Sequence, residues 1–265
     1  MQTLRRPAAV LPEVYYPESD GKPMAETDLH RDEMVELIHM LRYRYRDDPE
    51  IYVSGNMLVY YEEGNPLAGF APDVFVVFGV HKHRRRIFKI WEEGRPPAVV
   101  FEVSSRKTRR VDLDKKLRLC ERLGVGEYYL YDPESDYLKP PLQGHLLDAG
   151  VYRPVQPDAE GALLSPRLRL KLWLDDDGFL QLIDPETGLS LQRIEEIDSA
   201  RHEAEMAQYD AVAAQQAAEA AQQTAEAAQQ AAEAARRAAE ARAAAAEAEL
   251  ARLRGELPGD EELRP

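Results

Sequence analysis

The chain has 265 residues and a formal net charge of −14, long enough for one sizeable core and too acidic to coat nucleic acid indiscriminately. No apolar run could span a bilayer, because the alanine-rich tail carries a charge in nearly every turn, and MQTLRRPAAVLPEVYYPES lacks the continuous apolar core of a signal peptide. A cytoplasmic protein without membrane contact is therefore expected, and the single Cys120, which excludes an internal disulfide, agrees with a reducing compartment.

Residues 1–27 are rich in Pro, Tyr and Glu without periodicity and read as an irregular lead-in. Asp28 is the expected N-cap of a helix over about 29–46, in which Met34, Leu37, Ile38 and Leu41 recur at helical spacing; Pro49 ends it. IYVSGNMLVYY reads as two short strands around Gly55-Asn56 or as one bulged strand, with a hairpin preferred. PDVFVVFG (72–79) and PAVVFEVS (97–104) are continuous apolar runs, suited to strands buried on both faces. Between them lies a long, polar, basic insertion.

A helix is expected from Asp112 to Leu123, with Leu113, Leu117 and Cys120 on one face and Gly124 as its C-cap. GVGEYYLYDP then returns to a strand, and strand, helix, strand within this distance is a crossover unit, right-handed by rule. After Pro133 the pattern is broken and β-rich, as in hairpins that extend or cover a sheet. Residues 213–247 are five seven-residue units, AAQQAAE, AAQQTAE, AAQQAAE, AARRAAE and ARAAAAE. A strict seven-residue period implies a left-handed supercoil, and no Gly or Pro interrupts the helix over 189–254. Residues 190–265 carry sixteen acidic and eight basic residues, more than half of the net charge, whereas Arg106 to Arg118 holds seven basic against two acidic.

The chemistry-bearing residues gather around the two apolar runs. Asp73 opens the first and Glu102 closes the second. A glutamate inside VVFEVSS needs a partner or a metal, unless its strand is an edge facing water. Asp73 alone reads more readily as a strand-entry cap or turn aspartate. Lys115 and Lys116 follow on the next helix, where Asp112 and Lys116 at i,i+4 would also form an ordinary surface pair. His81 and His83 flank Lys82 without a third metal ligand at suitable spacing and read as a solvated basic loop. His30 begins the first helix and is either a neighbour of the site or a polar first-turn residue, the second being preferred. Arg84, Arg85, Arg86, Lys107, Arg109 and Arg110 are candidate phosphate contacts.

Taken in order, these motifs resemble the PD-(D/E)XK, restriction-endonuclease-like superfamily, and within it the Uma-type family of restriction-endonuclease-like proteins. The resemblance rests on Pro72-Asp73-Val74, Phe101-Glu102-Val103-Ser104-Ser105, Thr108-Arg109-Arg110, Asp112, Lys116 and Gly124-Val125-Gly126-Glu127-Tyr128. It extends from about residue 28 to the turn Asp184-Pro185-Glu186-Thr187-Gly188, and includes a helical tail rich in alanine and glutamate.

It implies an α/β (α+β) fold with a core of helix, three strands, helix and strand, added β-hairpins, and a long C-terminal helix or coiled coil. It implies that Asp73 and Glu102 hold Mg2+, or Mn2+ in its place, with the Val103 carbonyl as a third ligand. Ser104 stands where the motif lysine belongs, and in this family a lysine of the following helix takes the role: Lys116, with Lys115 as the neighbouring alternative. Cys120 is a core thiol. The expected domains are the lead-in 1–27, a nuclease-like domain 28–190, a coiled-coil tail 191–256 and a disordered end 257–265. Two functions remain: a metal-dependent DNA endonuclease acting alone, as a homodimer or with a partner through the tail, and an inactive nuclease-fold binding module with an assembly tail.

Overall fold

The computed structural model describes residues 14–19, 21, 27–104 and 112–255. The chain divides into two units, Met1–Ile197 and Asp198–Pro265. Most of the expected lead-in and all of the expected disordered end lie outside the described residues, as do Lys107, Arg109 and Arg110.

The first unit begins with α1 (Asp28–Arg44). Its N-cap is Thr27 rather than Asp28: the Thr27 hydroxyl accepts the His30 N–H at 3.2 Å. Asp28 becomes the first helical residue and pairs with Arg31 at 3.0 Å, a placement that also suits the positive end of the helix dipole. Met34, Leu37 and Leu41 face the core, as their spacing requires.

Strands β1 (Ile51–Ser54), β2 (Val59–Tyr60), β3 (Gly69–Phe70) and β4 (Val74–Phe78) follow, then β5 (Phe88–Lys89), the single-turn α2 (Ile90–Glu93) and β6 (Val99–Val103). The expected hairpin of β1 and β2 does not form. β1 pairs antiparallel with β4, Ser54 opposite Phe75, whereas β2 joins β3 and β5 in a separate small sheet. The reason is at the turn: a Cβ on Gly55 would lie 2.0 Å from the Asp73 carbonyl oxygen, so Gly55 admits a close crossing of β4 rather than a tight reversal.

Next come α3 (Asp112–Leu123) and β7 (Glu127–Tyr131). Gly124 stops α3 at φ +80°, where the Val125 N–H returns to the Cys120 carbonyl at 2.9 Å. β8 (Leu142–Asp148) and β9 (Val151–Pro154) form a hairpin that completes a six-stranded sheet in the order β1-β4-β6-β7-β8-β9. Only β6 and β7 are parallel in it, as the crossover demands. β10 (Leu163–Ser165), β11 (Leu170–Leu174) and β12 (Leu180–Ile183) make a third sheet. The core is thus helix, three strands, helix, strand (α1, β1, β4, β6, α3, β7), with hairpins added.

Alternate residues of the central strands feed two apolar layers. Val74, Val76, Val99 and Phe101 pack with α1 and with Leu170, Leu172 and Leu180 of the third sheet. Phe75, Val77, Val100 and Tyr128 pack with Cys120 of α3 and with Val59 and Phe88 of the small sheet. Both faces being covered explains why the strands read as unbroken apolar runs.

The second unit is the body of α4 (Ile194–Gly255), a helix of 62 residues that at ~1.5 Å per residue is about 93 Å long. Its described side chains are predominantly exposed, and Gln–Glu and Arg–Glu contacts at i,i+4, such as Gln215–Glu219 and Arg236–Glu240, bridge its turns. Among the described residues no helix is long and apolar enough to cross a membrane.

Candidate active site

The alternation along β6 decides which side chains meet α3. Val99, Phe101 and Val103 face the α1 side, so Glu102 and Ser104 face α3. Asp73, one residue before β4, stands beside them, because Val74 is opposite Phe101 in the antiparallel ladder. One oxygen of Asp73 accepts the Val103 N–H at 2.8 Å, which ties the strand entry to the strand end.

Lys116 reaches in from α3. Its ammonium lies 2.8 Å from Glu102 Oε2 and 3.0 Å from the Ala71 carbonyl. The Ser104 hydroxyl, two residues past Glu102, is buried without a hydrogen-bond partner. Lys115, one residue earlier and about 100° around the helix, is exposed. Asp112 has no described side chain to set against this arrangement.

Glu102 is 5% exposed, and its Oε1 has no hydrogen-bond partner. Burial, together with the neighbouring Asp73 charge and against the pull of Lys116, pushes its carboxyl up to about 8. Burial would raise Asp73 as well, but the His30 imidazole, the Lys116 charge and the Val103 N–H outweigh it, and Asp73 is held below the usual carboxylate range. Two adjacent carboxyls driven in opposite directions mark a place that rejects a second bare negative charge and would accept a cation. The unsatisfied Oε1 supplies the free donor atom that a hard divalent ion requires. Among the described residues no group of three His, Cys, Asp or Glu is placed to hold a metal ion.

His30 is a finding that departs from the sequence reading. It is 3% exposed, and its Nε2 lies 3.5 Å from Asp73 Oδ2. The signal was present: His30, Met34, Leu37 and Leu41 share one helical stripe, so a buried histidine was implied by the same spacing that defines the apolar face.

The other histidines and arginines separate. His81 and His83 are exposed, with rings 6.2 Å apart. Arg85 is bound by both oxygens of Glu93, at 2.6 and 2.9 Å, and lies over the Tyr52 ring at 4.2 Å. Arg86 pairs with Glu18 at 2.7 Å. Arg84 is exposed. Cys120 is fully buried, and burial pushes its thiol far above the ordinary range, as befits a core residue.

A covered mixed sheet with two carboxylates at adjacent strand ends and a lysine entering from the crossover helix defines a restriction-endonuclease-like protein. A family model described as "Putative restriction endonuclease" matches residues 9–177. The chain belongs to this family, Uma2. Among solved structures, a "putative nuclease belonging to DUF820" from Anabaena variabilis is similar at 15% identity and a TM-score of 0.42, over 56% of this chain and 76% of that one. Comparison with the curated proteins finds no match.

Proposed function

We propose that the protein is a divalent-metal-dependent endonuclease that hydrolyses phosphodiester bonds in DNA. The observation that carries this reading is the convergence of Asp73, Glu102 and Lys116, with Glu102 Oε1 buried and unsatisfied. Asp73 and Glu102, with the Val103 carbonyl, would hold magnesium or manganese, which when bound offsets charge on the scissile phosphate and acidifies water.

The chain's own groups do the rest. The Val103 N–H and His30 fix the Asp73 carboxylate in one orientation. Lys116 carries a positive charge at the carboxylates' edge, where it holds the attacking water and offsets negative charge that develops on phosphate oxygen. Ala71 and Glu102 hold that ammonium in place.

The tail is read as an assembly element, through a second copy or a partner helix. Its seven-residue alanine period supports this; sedimentation that gives a monomer at all accessible concentrations, alone and with cell extract, would remove it.

The function is tested by incubating plasmid DNA with and without magnesium. Wild-type protein should nick or linearise it only with the metal, and Asp73→Asn and Glu102→Gln should each lose activity by several orders of magnitude while keeping the circular dichroism spectrum. In calorimetric titrations both variants should lose magnesium affinity. Undiminished affinity in both would remove the metal assignment.

A further inference from the structure

β1 is an edge strand of the six-stranded sheet, and its open side forms one wall of a cleft of about 600 Å3. The C-terminal end of α1 supplies Arg42, the turn after it supplies Arg46, and the loop after β4 supplies Lys82, Arg84 and Arg85. Among the described residues, five cations line this cleft and no carboxylate does, on a chain whose net charge is −14.

The cations are held in place largely by groups that do not neutralise them. Arg42 Nε donates to the Val53 carbonyl at 3.1 Å. Lys82 Nζ donates to the Tyr45 and Arg46 carbonyls at 2.6 and 3.2 Å, where α1 ends. Arg46 lies over the Tyr43 ring at 4.2 Å, with only the exposed Asp47 near it, at 3.5 Å. Arg85 alone is spent on an acid inside the fold, the partly exposed Glu93. Protection of an edge strand accounts for Arg42, but not for Arg84, which has no partner among the described residues, nor for the exclusion of acidic side chains from the lining.

The Ser54 end of the cleft is the end of β1 nearest Asp73. Ser54 is part of the cleft's lining and is opposite Phe75, two residues past Asp73. The Asn56 N–H, just beyond, donates to the Pro72 carbonyl at 2.9 Å. Four residues of β1 span about 13 Å, room for a short run of backbone phosphates. We propose that this cleft is a phosphate-backbone subsite, which seats the stretch of nucleic-acid strand flanking the bond that is cut. The inference rests on the nuclease reading for the identity of the anion.

The test is binding of a short labelled DNA duplex by the full chain in chelator, followed by fluorescence anisotropy across about 50 to 200 mM salt. Arg46→Gln with Arg84→Gln should weaken binding about tenfold and lower the slope of log affinity against log salt by about two, one per lost phosphate contact. Arg153→Gln with Arg201→Gln, two exposed arginines outside the cleft, removes the same charge and should leave the slope near wild type. An unchanged slope in the cleft variant, an equal loss in the control pair, or no binding by wild type at low salt would each overturn the proposal. Displacement by polyglutamate as readily as by unlabelled DNA would also overturn it, in favour of an acidic protein segment. Cleavage of the same duplex with magnesium is scored separately. Cleavage with an unchanged slope sinks the subsite alone, and a lost slope without cleavage sinks the nuclease reading alone.

Discussion

At the level of single residues, the site is a contest between burial and charge. Glu102 in the metal-free protein titrates near 8, whereas a carboxyl in the unfolded chain titrates near about 4.3. Between those values the folded state holds a proton that the unfolded chain has released, so stability falls as pH rises through the window. Asp73, held low, has its effect only in the acidic range below it, with the opposite sign. Melting temperature measured in chelator should therefore decline from about pH 5 to about pH 8, and Glu102→Gln should flatten the decline. A curve for wild type that rises over that range would show that Glu102 is ionised throughout. Lys116 bears on the same balance from the other side. Lys116→Ala should depress single-turnover cleavage by about a thousandfold or more and leave magnesium affinity nearly intact, since the ammonium is not a ligand. Lys115→Ala, on an exposed face, should stay within about twofold of wild type; equal and near-normal rates in both variants would take Lys116 out of the mechanism.

At the level of elements, local pattern and long-range choice divide what could be read from the sequence. β4, β6 and β7 were legible because strands covered on both faces are apolar throughout, and α3 was legible from Leu117, Cys120 and the Gly124 stop. Asp73 and Glu102 were legible as charges that interrupt such runs. The partner of β1 was not, since pairing with β4 depends on residues more than twenty positions away and Gly55-Asn56 carries no hairpin turn chemistry. The cleft was equally hidden: Arg42 comes from a helix, Arg46 from the turn after it and Lys82 from a loop, and only the fold brings them to one strand edge. Of the Arg84–Arg86 run, the sequence could not say that Glu93 and Glu18 claim two members. Gly55 is the element-scale test. A methyl group there must displace the Asp73 carbonyl, 2.0 Å from the ideal Cβ position, so Gly55→Ala should cost about 2–3 kcal/mol of stability and lower cleavage further than that loss of folded protein explains. A variant with wild-type denaturation midpoint and activity would show that β1 does not hold Asp73 in place.

At the level of the whole molecule, the question is where the first unit needs its last residues. Sequence composition changes near residue 190, yet the unit runs to Ile197. Arg193 donates to Glu33, which is 2% exposed, at 2.5 Å. Tyr131 donates to the same carboxylate at 3.2 Å, and the Ile194 N–H donates to Glu36 at 3.0 Å. Glu33 and Glu36 are both on α1, the helix that also carries His30, so these contacts steady the element that braces Asp73. A chain ending at Leu191 keeps the apolar core but leaves Glu33 with Tyr131 alone. Loss of a mostly buried ionic partner is costly, and with Arg193 partly solvated the penalty should be about 2 kcal/mol, or roughly 5 °C in melting temperature for a unit of this size. A chain ending at Ile197 should melt within about a degree of the full-length first unit's transition, with unchanged magnesium affinity. Thermal scans of the two shortened proteins beside the full chain decide the matter. If both melt alike, the Glu33–Arg193 pair contributes nothing and the unit ends near residue 190; if the longer one also aggregates, the helical tail is part of the folded domain.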